Sequence, residues 1–203
     1  MQGTFRSPDC LLASFFMEQA PNGPGLFFLS GPSGAGKTTW CARLLALAHQ
    51  RGLPAHGLIS PPVWAAGQKI AIDLLDVHSG ERRRLATARS AVAGDSQPSA
   101  LDGPATRGWF FSPATLDWGN DKLLSLQRAL RRPHAPDGGG LLLVDELGPL
   151  EFLHGQGLQA ALTLLDAWQA GWACVAVRPS LLPLAQARWP AGRLIQIPER
   201  HTL

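Results

Sequence analysis

One short segment, GPSGAGKTT, constrains the fold of this chain more than any other. It matches the spacing G-x-x-x-x-G-K-[ST], with Gly31, Gly36, Lys37 and Thr38 at the fixed positions. Glycines let the backbone amides of such a loop turn toward phosphate oxygens. The lysine brings a positive charge to the outer phosphates, and the threonine hydroxyl can bind Mg²⁺. The segment therefore predicts a loop that binds a nucleoside triphosphate.

The residues on either side of the loop agree with this interpretation. The apolar run LFFLS, residues 26–30, predicts a short buried strand, and KTTWCARLLALAHQRG, residues 37–52, has apolar side chains at helical spacing. A chance glycine turn would not require a strand before it and a helix after it. We expect the nucleotide to contact the whole loop, which consists of Gly31, Pro32, Ser33, Gly34, Ala35, Gly36, Lys37, Thr38 and Thr39.

A second motif, LLLVDELGPLE, begins at Leu141. Its aliphatic residues predict a buried strand that brings Asp145 and Glu146 to its carboxyl end, where ligands bind in parallel sheets. We expect Asp145 to serve Mg²⁺ through a water molecule, and Glu146 to be the general base for an attacking water. Adjacent carboxylates also cap helices, so this assignment depends on the phosphate loop.

The remaining pattern alternates strand-length apolar runs with helical segments. A mostly parallel sheet covered on both faces fits this order. The segments KIAIDLLDV and ERRRLATA predict an antiparallel hairpin with a turn at residues 78–80, and residues 90–106 predict a surface loop. Further strands are predicted at HGLIS, WFFS, ACVAV and RLIQI, and further helices at about residues 113–132, 157–170 and 180–188.

Length and composition bound the domain organisation. A chain of 203 residues that is 45% hydrophobic can bury one substantial core. We expect one nucleotide-binding domain at residues 26–203 and an N-terminal extension at residues 1–25. The apolar run CLLASFFM in that extension is too short to span a bilayer, so no membrane partner is expected. Three cysteines without metal-ligand spacing favour a reduced cytoplasm.

The charge balance argues against a bulk nucleic-acid binder. The net charge is only +3, with 18 basic and 15 acidic side chains. A protein that binds polyanions usually has a larger excess of basic over acidic side chains, although nucleic acid stays an open alternative as a partner. Surface solvation is the simpler role for the short run Arg82–Arg84.

Several other side chains could serve either of two roles. Arg178 follows the strand ACVAV, where a side chain can contact the outer phosphate in the transition state, and solvation at the surface is its alternative role. A group of aromatic residues could stack on a base, although core packing is the commoner use of such residues: Trp109, Phe110, Phe111 and Trp118. Glu151 could cap a helix or pair locally.

Taken together, GPSGAGKTT and VDELGPLE resemble the THEP1 family of small nucleoside-triphosphatases. That family has a G-x-x-G-x-G-K-T-T loop followed by a D-E-[IL]-G-x-[ML]-E signature, and the resemblance extends over residues 26–197. It implies an α/β fold of the P-loop NTPase class, RecA-like, with a mostly parallel sheet, helices on both faces and a small antiparallel hairpin. Family roles fall on Lys37, Thr38, Asp145 and Glu146.

The resemblance also implies an activity, namely Mg²⁺-dependent hydrolysis of ATP, GTP and other nucleoside triphosphates with loose base preference. Two alternatives stay open. One is a kinase on the same core that acts on a nucleotide, a polynucleotide or a small metabolite, and the other is a slow nucleotide-dependent switch. The chain has Pro149-Leu150 where the family more often has Lys-Met, which leaves the physiological substrate open. The oligomeric state stays open too, and a second subunit could supply a further arginine.

Overall fold

The computed structural model describes residues 25–91, 105–106, 108–130 and 140–198. Ten strands form one sheet: β1 Gly25–Ser30, β2 Ala55–Ile59, β3 Pro62–Ala65, β4 Gln68–Asp76, β5 Arg82–Ala88, β6 Ala105–Thr106, β7 Trp109–Phe111, β8 Gly140–Leu147, β9 Gly171–Val177 and β10 Arg193–Gln196. Five α-helices of the described residues pack on it: α1 Lys37–Gln50, α2 Pro113–Leu130, α3 Pro149–Leu153, α4 Gln159–Asp166 and α5 Leu182–Arg188. None of these described helices is long and apolar enough to cross a bilayer.

The sheet has a parallel half and an antiparallel half. The parallel half runs in the order β10-β1-β9-β8-β2, so β9 lies between the strand before the phosphate loop and the strand that ends in the two acids. Strands β4, β5, β7 and β6 continue the sheet antiparallel beyond β2, and β3 pairs with β4. We call this second half the extension. The predicted α/β fold, with a mostly parallel sheet and an antiparallel hairpin, is confirmed, although the extension is larger than one hairpin.

The parallel strands are apolar on both sides because helices cover both faces. Leu141 and Leu143 of β8 pack in the cluster that contains α1, whereas Leu142 and Val144 pack in the cluster that contains α2, α4 and α5. All four side chains are fully buried. This arrangement explains why LLLV has no polar alternation in the sequence.

The two halves of the sheet meet at a short seam. There β2 pairs with β4 over Leu58 with Asp76 and Ile59 with Leu75. Helix α2 lies over this seam, and its Gly119 packs closely against β4. A Cβ atom at position 119 would lie 2.8 Å from a methyl group of Leu74. Close packing of α2 on the seam therefore requires the absence of a side chain at position 119.

Several details differ from the sequence predictions. The predicted loop at residues 90–106 is wrong at its end, because Ala105–Thr106 pairs with β7, while residues 92–104 lie outside the described residues. The predicted helix at residues 157–170 is shorter and spans Gln159–Asp166. Gly157, before that helix, has a φ of 75°, a left-handed conformation that does not continue a right-handed helix. Helix α3 and strand β3 were not predicted.

Candidate functional site

The phosphate loop connects the end of β1 to the start of α1. Gly34 and Gly36 have φ angles of 81° and 101°, a left-handed region that glycine adopts without strain. Gly31 has no room for a side chain, since a Cβ atom there would lie 2.6 Å from the Ile197 carbonyl oxygen. The glycines of the motif are therefore required by the shape of the loop, which ends at the positive N-terminus of α1.

Lys37 is the first residue of α1, and its side chain is folded back over the loop. The Nζ atom donates hydrogen bonds to the carbonyl oxygens of Gly31 at 2.9 Å and Pro32 at 3.0 Å. The residue is 6% exposed, so its ammonium group is held against the concave side of the loop. A phosphate group bound in the loop would meet this charge directly.

Asp145 lies at the carboxyl end of β8 and is almost fully buried. Its carboxylate accepts hydrogen bonds from the Thr38 side chain and from the backbone N–H of Ser60, the latter at 3.3 Å. The Ser60 hydroxyl donates to the carbonyl oxygen of Asp145. Burial away from water raises the pKa of Asp145 to about 6, and the Thr38 hydrogen bond opposes this rise. The Thr38 hydroxyl and the Asp145 carboxylate are therefore neighbours.

This pair of side chains fits Mg²⁺. Both supply oxygen atoms, which Mg²⁺ prefers, and they lie beside the loop that would hold the phosphates. A dication would also compensate the charge of a carboxylate that is otherwise buried. Mg²⁺ commonly keeps several waters and takes few protein ligands, so two side chains suffice for a site of this kind.

Glu146 and Arg178 form the other side of the site. Glu146 belongs to β8, and Arg178 directly follows β9, the neighbouring parallel strand. The Arg178 guanidinium donates to the Glu146 carboxylate, so the arginine is not simply solvated. The side chain of Glu146 is 26% exposed and opens toward the cavity, unlike the buried Asp145.

One cavity of about 650 Å³ joins these elements. Its walls include the phosphate loop, both adjacent acids, Arg178 and side chains of the extension. The lining residues that the sequence did not single out include Ser60, Trp64 and Lys69. Ser60 is the last residue of the predicted strand HGLIS, which was a usable signal, since β2 and β8 are parallel neighbours. The cavity therefore extends well beyond the phosphate loop.

Comparison with known proteins matches the same regions. A family model described as NTPase matches residues 26–101. Curated proteins named nucleoside-triphosphatase THEP1 match from Caldivirga maquilingensis (26% identity, covering 63% of this chain and 61% of the relative), Methanopyrus kandleri (24%, 68% and 66%) and Pyrobaculum islandicum (32%, 61% and 58%). The chain is therefore similar to nucleoside-triphosphatases of the THEP1 type, in agreement with the resemblance of its two motifs. It spans about 58–66% of the length of these relatives.

Solved structures show the same fold. The solution structure of a human cancer-related nucleoside triphosphatase has a TM-score of 0.60 and 21% identity, and it covers 85% of this chain and 88% of that protein. The crystal structure of THEP1 from the hyperthermophile Aquifex aeolicus has a TM-score of 0.60 and 13% identity, with 85% and 89% covered. At these identities the likeness concerns the fold, a P-loop α/β sheet.

The four aromatic candidates lie in different environments. Trp109 and Phe111 line the cavity. Trp118 is 8% exposed and belongs to the core cluster of α2, which excludes it from base stacking. Phe110 does not line the cavity, and the Arg89 guanidinium lies 4.2 Å from its ring centroid. Only two of the four aromatic residues can therefore contact a ligand here.

The remaining charged candidates have structural roles. Arg84 and Asp73 form an ion pair at 2.6 Å, and Arg83 pairs with Glu81 at 2.7 Å. These arginines are about half exposed on the extension, in agreement with a solvated surface. Glu151 accepts hydrogen bonds from the backbone N–H groups of Gly148 and Leu158, each at 2.8 Å, so it caps the start of α3 and the turn before α4.

Proposed function

We propose that this protein hydrolyses the outer phosphate of nucleoside triphosphates in an Mg²⁺-dependent reaction. The observation that carries the proposal is the contact between Thr38 of the phosphate loop and Asp145, with Glu146 next along the strand. This arrangement supports the proposal, because two side chains that could hold Mg²⁺ and a separate carboxylate lie together beside the phosphate loop. The curated relatives are named nucleoside-triphosphatases, which supports the same activity.

The loop residues bind and orient the phosphates. The glycine backbone amides and the N-terminus of α1 face the inner phosphates, and Lys37 exchanges its loop carbonyl partners for oxygens of the outer phosphates. Thr38 and Asp145 would hold Mg²⁺, directly or through water, which neutralises charge that develops on the phosphate oxygens. Positioning and charge stabilisation supply most of the catalysis in this reaction class.

Glu146 orients the attacking water and accepts its proton. The oxygen of that water forms a bond to the outer phosphorus while the bond from this phosphorus to the bridging oxygen breaks, which yields the diphosphate and phosphate. Arg178 holds the Glu146 carboxylate before the substrate binds. A guanidinium in this position can turn to the outer phosphate oxygens, which attract it more strongly as charge develops.

Base tolerance is part of the proposal. The sequence contains no N-K-x-D motif of the kind that reads guanine, so no base-specific contact is expected. ATP, GTP, CTP and UTP are therefore expected to be hydrolysed with comparable kcat/KM. We further propose that residues 26–203 act as one domain in the cytoplasm, where the buried thiols of Cys41 and Cys174 stay reduced.

A triphosphate panel tests the proposed hydrolysis. Each nucleotide is incubated with Mg²⁺ or with EDTA, and free phosphate is followed over time. Phosphate release that requires Mg²⁺ supports the hydrolase, and its absence with all four nucleotides overturns it. A kcat/KM ratio above roughly a thousandfold between bases would instead require a hydrogen-bonded base pocket.

A phosphotransferase is the second candidate function. The extent of the cavity favours it, because the cavity continues beyond the phosphate loop and the two acids to Trp64 and Lys69 of the extension, where an acceptor could lie. In this reaction the hydroxyl or anionic oxygen of an acceptor replaces the attacking water. Chromatography of reactions that contain candidate acceptors separates the two functions, since a kinase yields a phosphorylated acceptor in place of free phosphate.

A further inference from the structure

The extension forms one part of the cavity, and the side chains that line this part are mostly aromatic or aliphatic. We call it the aromatic chamber, and its side chains are Trp64, Lys69, Ile72, Leu85, Trp109 and Phe111. All six belong to strands β3, β4, β5 and β7. None of them belongs to the phosphate loop or to the strand that ends in the two acids.

The position of the aromatic chamber separates it from the nucleoside end of a bound triphosphate. Lys37 and Thr38 contact the outer phosphates in loops of this kind, and the Thr38 side chain touches Asp145. The phosphate chain therefore ends at the two acids. The aromatic chamber lies on the side of the acids that belongs to the extension, whereas the nucleoside is attached at the opposite end of the phosphate chain.

The walls of the aromatic chamber suit a flat ring. Trp64 is 61% exposed, although a tryptophan of this size is usually more covered. Trp109 and Phe111 are partly buried and face the same space, with Ile72 and Leu85 beside them. Ring systems stack on such surfaces with offset or edge-on geometry. A purely polar ligand would not bury these apolar surfaces effectively.

The charge of the aromatic chamber is positive. The Nζ atom of Lys69 lies 5.0 Å from the centroid of the Trp109 ring. Burial away from water lowers the pKa of Lys69, and Glu146 and Asp145 oppose this by raising it. Among the described residues, no carboxylate lies within ion-pair distance of this ammonium group. An anionic group on a ligand would supply that partner.

We propose that the aromatic chamber is a second binding site, which takes a flat, ring-containing small molecule with an anionic group that pairs with Lys69. The inference rests on the proposed placement of the triphosphate on the phosphate loop. The ring lies against Trp64 and Trp109, and the ligand is bound at the same time as the triphosphate. Its inner end faces the outer phosphate across Glu146.

A fluorescent ring anion provides a direct test. Anilinonaphthalene sulfonate has fused rings and one sulfonate, and its fluorescence rises when it leaves water. The purified full chain is titrated with this probe in the presence of Mg²⁺ and inorganic tripolyphosphate, which fills the phosphate loop without bringing a nucleobase. One bound probe per chain is the expected result. No saturable binding of the probe to the folded protein overturns the proposal.

Matched variants locate the bound probe. Lys69→Gln should weaken probe binding about tenfold or more, because the sulfonate of the probe loses its cationic partner. Lys122→Gln is its control, since Lys122 also lies over a tryptophan, 5.5 Å from the Trp118 centroid, but outside the aromatic chamber. Trp64→Ala should weaken binding as well, and Leu153→Ala, at a side chain 58% exposed elsewhere, should not. Equal effects of all four variants overturn the proposal.

A non-hydrolysable ATP analogue decides between two sites and one. If the aromatic chamber is a second site, the probe binds with the analogue as it does with tripolyphosphate, within about threefold. If the analogue displaces the probe and tripolyphosphate does not, the chamber holds the base of the triphosphate and the proposal is wrong. Probe binding does not depend on turnover, so a failure of hydrolysis and a failure of this site are seen separately.

Discussion

Arg178 donates a hydrogen bond to Glu146 across the neighbouring parallel strands β9 and β8. The ion pair fixes the carboxylate that we assign to water activation, and it fixes the one arginine among the described residues that lines the cavity. Each partner therefore has two possible interactions, one with the other side chain and one with the reacting groups. Removing either partner alters both the charge and the geometry of the site.

Glu146→Gln should abolish most hydrolysis and leave nucleotide binding intact. The amide keeps the size of the side chain but cannot accept the proton from water, and general bases contribute about 10²–10⁴-fold to rate. We expect a loss of this size in kcat. The Kd of a non-hydrolysable triphosphate with Mg²⁺ should change by less than about threefold. Hydrolysis within a few-fold of the unmodified protein would disprove the assignment to Glu146.

Arg178→Ala should lower kcat by roughly 10- to 100-fold, because the outer phosphate loses a cation and Glu146 loses its partner. The affinity for the triphosphate should change less than kcat. The matched control is Arg188→Ala. Arg188 also pairs with a carboxylate, Asp166 at 2.7 Å, but it does not line the cavity. Steady-state kinetics on both variants make the comparison. Equal kcat values for the two variants would argue for a structural role of Arg178.

Lys37→Ala should weaken triphosphate binding by about tenfold or more and remove most turnover, since a charge-assisted contact to phosphate is lost. Isothermal titration with a non-hydrolysable analogue measures the affinity. The side chain also bonds two loop carbonyls, so thermal unfolding of the variant provides the check on folding. Unchanged affinity in a folded variant would contradict the assignment of this loop to phosphate.

Thr38→Ala should raise the Mg²⁺ concentration needed for half-maximal rate. The hydroxyl that contacts Asp145 would be lost, and with it one oxygen ligand of the metal. A titration of rate against Mg²⁺ at saturating nucleotide measures the effect. Thr39→Ala is the control, because Thr39 is the next residue of α1 and also lines the cavity. Identical metal titrations for the two variants would count against Thr38 as a ligand.

Asp145 should make the protein less stable as pH rises when neither metal nor nucleotide is present. Its pKa is about 6 in the folded state against 3.8 as reference, so the folded state holds the proton more tightly. The stabilising contribution is complete below pH 3.8 and is lost as pH rises to about 6. It amounts to roughly 3 kcal/mol. Burial also raises the pKa of Glu151, which is common to both proteins compared below.

Asp145→Asn isolates this contribution. The amide carries no charge, so the variant should gain stability over the parent protein at pH 7 and lose the advantage at pH 4. Urea unfolding at the two pH values measures the difference in the free energy of unfolding. A parallel response of both proteins to pH would mean that the buried carboxyl does not have the raised pKa. The same variant should lose Mg²⁺-dependent nucleotide binding.

Local sequence was sufficient for the phosphate loop and the strands beside it. GPSGAGKTT and LLLV each determine a conformation through their own residues, glycine freedom in one and aliphatic burial in the other. Strand β3 was missed because PVWA begins with a proline and follows another proline, which reads as a loop. Helix α3 was missed because five residues between two glycines give no helical period.

Long-range contacts were beyond the sequence patterns. Nothing near Arg178 in the chain indicates that it meets Glu146, 32 residues earlier, because that contact depends on the strand order of the sheet. Lys69 is similar, since its strand and the hairpin with β5 were predicted, but the pairing of that strand with β3 and with β2 was not. The sequence thus located the loop and the acids, and the folded sheet added the extension that completes the cavity.

Gly119 affects how the molecule unfolds. A Cβ atom at this position would lie 2.8 Å from Leu74 of the extension, 2.9 Å from Leu158 and 3.3 Å from Leu58 of the parallel half. Helix α2 therefore contacts both halves, which pair with each other over only two residues of each strand. Separating the two halves would therefore break the contacts of α2 with both of them. The helix couples the unfolding of the halves more strongly than the seam does. Heat should unfold the described sheet in a single transition.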